Sequence, residues 1–222
     1  MIQRVSDNIS GKDFLAAEGV EGWRIITDGA SAFYRTASFR ASARLIDAIG
    51  GIQGIDGHPP KVDVRHDGVT VRFLTKRAEG YRLTTTDLEL ARAVERVATE
   101  HGLTADPSAI QSLLVIPGAT DRSAIMPFWR AILGYEPRID SPEEDLVDPH
   151  DRDAAFWFEQ MDEPRADGKG AIHVVVSVPS EHAQARIGAA LAAGGRIVYD
   201  ENAPEWWTLE DPAGNQADIA AG

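Results

Sequence analysis

GHPPKVDVRHDGVTVRFLTKRAEGYRLTTTDLELA, residues 57–91, decides how the first half of the chain folds. Val62 and Val64 alternate with polar residues on one side of His66-Asp67-Gly68, and Val69, Val71 and Phe73 do so on the other. Alternation at period two marks a strand with one buried face, and Asp-Gly suits the positive φ of a tight turn. The spacing predicts a β-hairpin over 62–73. Thr84 and Asp87 stand three apart, just before Leu88, Ala91, Val94 and Val97-Ala98 recur at helical spacing. A hydroxyl and a carboxylate so placed satisfy each other's free backbone N–H, so a helix is predicted to begin there.

Toward the N-terminus, Gly22-Trp23 opens an alternation that runs through Ile25, Phe33 and Tyr34 to about Phe39, with a turn signal at Asp28-Gly29. Phe39, Ala43, Ile46 and Ile49 then recur at helical spacing until Gly50-Gly51. The order strand, strand, helix, strand, strand, helix predicts an α+β domain: a four-stranded antiparallel sheet with helices on one face. The polar stretch GLTADPS at 102–108 reads as a linker, which places domains at 1–103 and 109–222.

Toward the C-terminus, Ile110 to Pro117 reads as a strand and Asp121 to Leu133 as a helix closed by Gly134. Pro127 is expected in the first helical turn, with a late helix start, because proline inside a helix costs about 3 kcal/mol. Ala155 to Met161 is strand-like. Ala171 to Pro179 reads as a strand, Glu181 to Ala193 as a helix, and Arg196–Tyr199, Trp206–Leu209 and Gln216–Ala220 as short strands. Residues 110–161 and 171–220 thus repeat one pattern, strand-helix-strand-strand-strand.

The totals suit two domains in 222 residues. With no cysteine, disulfides, thiolate metal sites and thiol catalysis are excluded. A formal charge of −13 disfavours nucleic acid or an anionic membrane as partner. No apolar run reaches membrane-spanning length, and MIQRVSDNISGKDF lacks the apolar stretch of a signal peptide, so a cytoplasmic location is the expectation. Ser/His/Asp triads, Gly-rich phosphate loops and HExxH strings are missing, which weighs against hydrolase, nucleotide-binding and zinc-protease chemistry. The expected partner is a small molecule, and a homo-oligomer is compatible with the sequence.

Gly57-His58-Pro59, Thr75-Lys76 and Leu83-Thr84-Thr85-Thr86-Asp87, followed by Leu90-Ala91, resemble the pterin-4a-carbinolamine dehydratase family. That family carries His-His-Pro before a hairpin, Thr-His after it, and a Leu-Ser/Thr-x-x-Asp helix start. The resemblance covers about residues 12–101. It implies a lyase that dehydrates a 4a-hydroxytetrahydropterin such as the tetrahydrobiopterin carbinolamine. The leaving hydroxyl needs a proton and a ring nitrogen loses one, work suited to histidines. Of the family's three histidines only the second survives, as His58; the first is Gly57 and the third Lys76. The resemblance implies His58, Lys76 and Asp87 as catalytic residues, with Pro59 against the ligand, and weak or absent turnover. The plainer readings are a loop histidine, a solvated strand end and a helix cap.

PFWRAILGY (127–135), IHVVVSVP (172–179), LAAGGRIV (191–198) and WWTLEDPAGN (206–215) resemble the vicinal oxygen chelate superfamily of glyoxalases, bleomycin-resistance proteins and dioxygenases. The resemblance covers nearly all of 109–222 and implies paired βαβββ modules. Superfamily members often hold a divalent metal between the modules. Carried over by position, the ligands are Gln111, His173 and Asp218, with Phe158 at the fourth place and Glu159 available only if the register is one off. Gln, His and Asp suit Zn, Ni, Mn or Fe(II); no cofactor is certain, and a metal-free cavity is the other reading. Trp157 and Trp206 could wall a flat heterocycle, and Trp206 and Trp207 cannot both point inward. Three functions follow: an altered pterin dehydratase, a non-catalytic drug-binding protein of the bleomycin-resistance type, and a metal-dependent lyase or dioxygenase.

Overall fold

The structure, a computed structural model, describes residues 7–27, 29–164, 171–210 and 216–222; at 128, 131, 132, 171 and 173 the description is of the backbone. Asp28 of the first predicted turn and residues 211–215 of the WWTLEDPAGN string lie outside the described residues. The chain divides into two compact units, Met1–Ile110 and Gln111–Gly222.

The first unit runs β1 (Asn8–Ile9), α1 (Gly11–Leu15), β2 (Arg24–Ile26), β3 (Gly29–Arg35), α2 (Phe39–Gly50), β4 (Lys61–Val64), β5 (Gly68–Phe73), β6 (Thr75–Arg77), β7 (Gly80–Thr84) and α3 (Thr85–Glu100). The four-stranded antiparallel sheet has the order β2-β3-β5-β4. Ala30, Ala32 and Tyr34 of β3 and Val69, Val71 and Phe73 of β5 share one face. They are buried with Leu45 and Ile49 of α2 and Leu88, Ala91 and Val94 of α3. Gly68 is needed where the hairpin turns: a Cβ there would lie 2.2 Å from Cζ of Phe33.

Two features of this unit differ from the sequence reading. The α2 stripe predicted from Phe39 is rotated: Ser42, Leu45 and Ile49 are buried, whereas Phe39 is 63% exposed. The Ser42 hydroxyl sets this rotation, lying 2.7 Å from that of Thr36 and donating to the Arg65 carbonyl at 3.3 Å. Nor is 102–108 merely a linker. Ala105 bridges to Tyr34, the Asp106 N–H donates to the Phe33 carbonyl, Arg35 donates to the Asp106 carboxylate at 2.6 Å, and Ile110 packs on Ile26 and Phe33.

A further three-stranded sheet, β1-β7-β6, has no counterpart in the sequence reading. Asn8 pairs with Thr84 and Thr75 with Arg82, so this sheet fixes the entry to α3. There Thr84 and Asp87 make the predicted capping box.

The second unit runs β8 (Ser112–Ala119), α4 (Arg122–Leu133), β9 (Glu136–Pro137), β10 (Asp145–Val147), β11 (Ala155–Trp157), β12 (Glu159–Gln160), β13 (Ala171–Val178), α5 (Ser180–Ala192), β14 (Arg196–Tyr199), β15 (Trp206–Glu210) and β16 (Gln216–Ala221). Its sheet has the order β14-β15-β16-β13-β8-β11-β10-β9, with β12 also on β8. Each half pairs its first strand in parallel with its last, β8 with β11 and β13 with β16, and the halves meet where β8 and β13 pair antiparallel. This is the duplicated βαβββ arrangement. α4 covers Val115, Leu146 and Phe156, and α5 covers Val176, Trp207, Leu209 and Ile219.

Contrary to the late start expected, α4 begins at Arg122, capped by Asp121, and Pro127 lies in its interior. Pro127 gives no N–H to the Ser123 carbonyl, a loss of about 3 kcal/mol in an isolated helix. Packing of Ile125, Met126, Trp129 and Leu133 on the core offsets it.

The loop after β10 is organised by the buried Asp148, whose carboxylate accepts from the His150 and Arg152 N–H groups and from the Arg152 guanidinium at 2.9 Å. The guanidinium, then the backbone donors, hold the Asp148 carboxyl well below the usual carboxylate range. A depressed folded-state pKa gives a stability contribution that is complete above the unfolded value of about 3.9 and is lost as pH falls below it. Asp148→Asn should therefore flatten the acid-side loss of C-terminal stability between about pH 4 and pH 2, while leaving its pH dependence near neutrality unchanged. Thermal melts across that range check this; parallel acid slopes for variant and wild type would refute it.

Candidate active site of the N-terminal unit and open face of the C-terminal unit

The His58 ring comes out of a short 3-10 turn, Ile55–Gly57, and stacks on Phe73 with centroids 6.0 Å apart; Phe73 in turn stacks on the buried Trp23. Its Nε2 lies 2.7 Å from Oδ1 of Asp87. The His58 side chain is 24% exposed and that of Asp87 wholly buried. The other carboxylate oxygen of Asp87 accepts from the Thr84 N–H at 2.7 Å, the Thr84 hydroxyl at 2.6 Å and the Thr75 hydroxyl at 2.8 Å. Asp87 is thus both the helix cap and the partner of His58. With one carboxylate oxygen on Nε2, the ring is held with Nε2–H donating, which leaves Nδ1 as the free basic nitrogen.

The structure separates the third candidate from this pair. Thr75 faces Asp87; Lys76, the next residue on β6, projects from the other side of the strand, its Nζ 5.4 Å from the ring centre of Tyr81. Two residues along, Arg77 returns to the near side and donates to both oxygens of Asp7, at 2.6 and 2.8 Å. Pro59 is exposed beside His58. A Cβ built on Gly57 meets nothing within 4 Å, so space does not dictate the missing side chain. Thr75 was missed as a site residue. The signal for it was its match to the threonine of the family's Thr-His element.

In the C-terminal unit, register divides the sheet into the face covered by α4 and α5 and an open face. Trp207 lies in the core under α5, which puts Trp206, 36% exposed, on the open face. Phe156 and Phe158 lie under α4, so Trp157 and Glu159 face the open side; the expected fourth metal position, Phe158, is wholly buried. The Trp157 indole N–H donates to Glu144 at 3.3 Å, and Arg122 donates to the same carboxylate at 2.7 Å, which holds the Glu144 carboxyl below its usual range. Trp157 and Trp206 stand on strands four apart in the sheet order.

The three expected metal ligands do not converge. Asp218 is level with Val175 of β13, two residues from position 173. Gln111 precedes Ser112, which is paired with Ser177, whereas His173 is paired with Ile116. Five residues of offset on antiparallel strands are roughly 17 Å. The Gln111 side chain instead accepts from Arg186 at 3.4 Å. The register thus keeps Gln111 from joining positions 173 and 218 around one divalent ion.

Among the described residues no helix is long and apolar enough to cross a membrane. The family model for pterin 4 alpha carbinolamine dehydratase matches residues 7–97, and that for a glyoxalase-like domain matches residues 114–220. No curated protein matches the chain. Among solved structures, an NAD-dependent benzaldehyde dehydrogenase from Legionella pneumophila is 14% identical with a TM-score of 0.37, over 49% of this chain and 97% of that one. A glyoxalase/bleomycin resistance protein/dioxygenase superfamily member from Vibrio splendidus 12B01 is 13% identical with a TM-score of 0.32, over 50% and 98%. The chain thus joins a pterin 4 alpha carbinolamine dehydratase-like domain to a glyoxalase-like domain.

Proposed function

We propose that the N-terminal domain binds a 4a-hydroxytetrahydropterin and dehydrates it slowly, with His58 as the proton-handling group and Asp87 as the residue that orients it. The observation that carries this reading is the 2.7 Å contact between the quarter-exposed His58 ring and the wholly buried Asp87 carboxylate. A histidine whose one nitrogen is occupied by a carboxylate presents the other as a base, and its protonated form as an acid. Gly57 offers no side chain, and Lys76 stands with Tyr81, so one acid–base group does work that three histidines share in the family. Loss of a positioned acid or base lowers a rate by about 10²–10⁴.

Pterin binding is tested by titrating tetrahydropterin into wild type and His58→Ala. The expected result is a roughly tenfold or greater loss of affinity in the variant, as for a lost hydrogen bond to a charged group. Unchanged affinity would make His58 a loop residue. The C-terminal domain is proposed as the binder of an organic ligand on its open face, with no metal held by Gln111, His173 and Asp218. The five-residue offset between Gln111 and position 173 supports this over the metal-dependent lyase.

A further inference from the structure

A concavity lies on the helix-bearing side of the C-terminal sheet. It is a cleft of about 540 Å³ between the first half of α4, β9 and the loop that follows. Pro137 on its wall is level with Leu146, which is buried beneath α4, and this fixes the side. The volume falls within the range of small-ligand pockets, roughly 300–1,000 Å³.

Three observations give the cleft chemical character. Met126, Pro127 and Pro137 form an apolar wall, and the two prolines are rigid, so little conformational entropy is lost when they are covered. Ser123 also lines the cleft, and Pro127 has no N–H to give its carbonyl, so a backbone acceptor lacks its helical donor there. Departures from local helix rules concentrate at functional places. Lastly, Arg130 is exposed and makes no ion pair among the described residues. Acidic side chains outnumber basic ones in 111–222 by more than two to one, and Arg122, Arg138, Arg152 and Arg196 each hold a carboxylate.

The cleft thus has two cations in its lining, of which Arg122 is held by Glu144 and Arg130 makes no ion pair among the described residues, and acceptors at Asp121, Glu143 and the Ser123 carbonyl beside the apolar wall. A bare anion would meet Glu143, and a bare cation would meet Arg130. We propose that this cleft binds a small zwitterion with an apolar body, a free amino acid or the end of a short peptide. Its carboxylate lies on Arg130 and its ammonium on Glu143 and the Ser123 carbonyl.

The chain has three methionines, so methyl-labelled methionine gives three signals, and Met126 is the one that lines the cleft. The full chain is titrated with L-phenylalanine, with 3-phenylpropanoate, which lacks the ammonium, and with 2-phenylethylamine, which lacks the carboxylate. The expected result is a saturable shift of the Met126 signal by L-phenylalanine, with both analogues at least roughly tenfold weaker, one lost charge-assisted contact each. Arg130→Gln should bring L-phenylalanine down to the level of 2-phenylethylamine, and Glu143→Gln should bring it toward that of 3-phenylpropanoate. An unmoved Met161 signal shows that each variant is folded. No shift at Met126, equal binding by all three compounds, equal binding by Arg130→Gln, or a response confined to the Trp157 and Trp206 indoles would overturn the proposal.

Discussion

Asp87→Ala should cost the N-terminal unit about 2–5 kcal/mol, the combined effect of a lost helix cap and of buried donors left without an acceptor. The carboxylate is wholly buried and accepts from a backbone N–H, two threonine hydroxyls and the His58 ring. Loss of an N-cap interaction alone costs about 0.5–2 kcal/mol, and each buried donor left without an acceptor costs about 1–3 kcal/mol. Against a domain stability of roughly 5–15 kcal/mol, that removes a large share. The change should fall on the unit that contains Trp23, the one tryptophan before residue 111. Urea unfolding followed by tryptophan fluorescence and by circular dichroism reads it as an earlier first transition with the second unmoved. A loss under about 1 kcal/mol would mean that the hydrogen bonds around Asp87 are replaced by water at little cost.

His58→Ala should act mainly on turnover. The ring is partly exposed, and Asp87 keeps its three other donors when it is removed. Those donors all serve Oδ2, so Oδ1 of Asp87 depends on water entering where the ring stood, and stability should fall by about 1–2 kcal/mol, less than in Asp87→Ala. Turnover of a 4a-carbinolamine should fall by about 10²–10⁴, the contribution of a positioned acid or base. Asp87→Asn lies between the two. The amide keeps an acceptor oxygen for the helix N–H, but its NH₂ can only donate toward whichever group it faces. Activity should then fall further than stability.

The sequence made much of the fold legible where chemistry is local. The hairpin around Asp67-Gly68 follows from alternation and a turn dipeptide, and the capping box at Thr84 and Asp87 from spacing alone. What it did not reveal depends on partners distant in sequence. β6 is three residues long and β1 two, too short for alternation to register, and they form because each completes pairing with β7. Phe39 looked like core, yet the inward face of α2 is chosen by Ser42, a polar residue with partners at Thr36 and Arg65. The offset of Gln111 from His173 has a similar origin. Equivalent positions near the starts of two repeated strands lie at opposite ends once those strands pair antiparallel.

The candidate site was legible in part. His58 and Asp87 came from the family motif, but their contact spans 29 residues and no spacing rule foretells it. Thr75 acts through a hydroxyl that touches both Asp87 and Thr84, although in the Thr-His element the sequence draws attention to position 76.

The most direct test of the account is the rate of 4a-carbinolamine dehydration, followed by stopped flow for wild type, His58→Ala and Lys76→Met side by side. The pairing of His58 with Asp87 predicts a wild-type rate above the uncatalysed one, which falls toward background in His58→Ala and changes less than about threefold in Lys76→Met, the scale of a surface change away from the reacting groups. A rate that survives in His58→Ala, or one abolished in Lys76→Met, would contradict it.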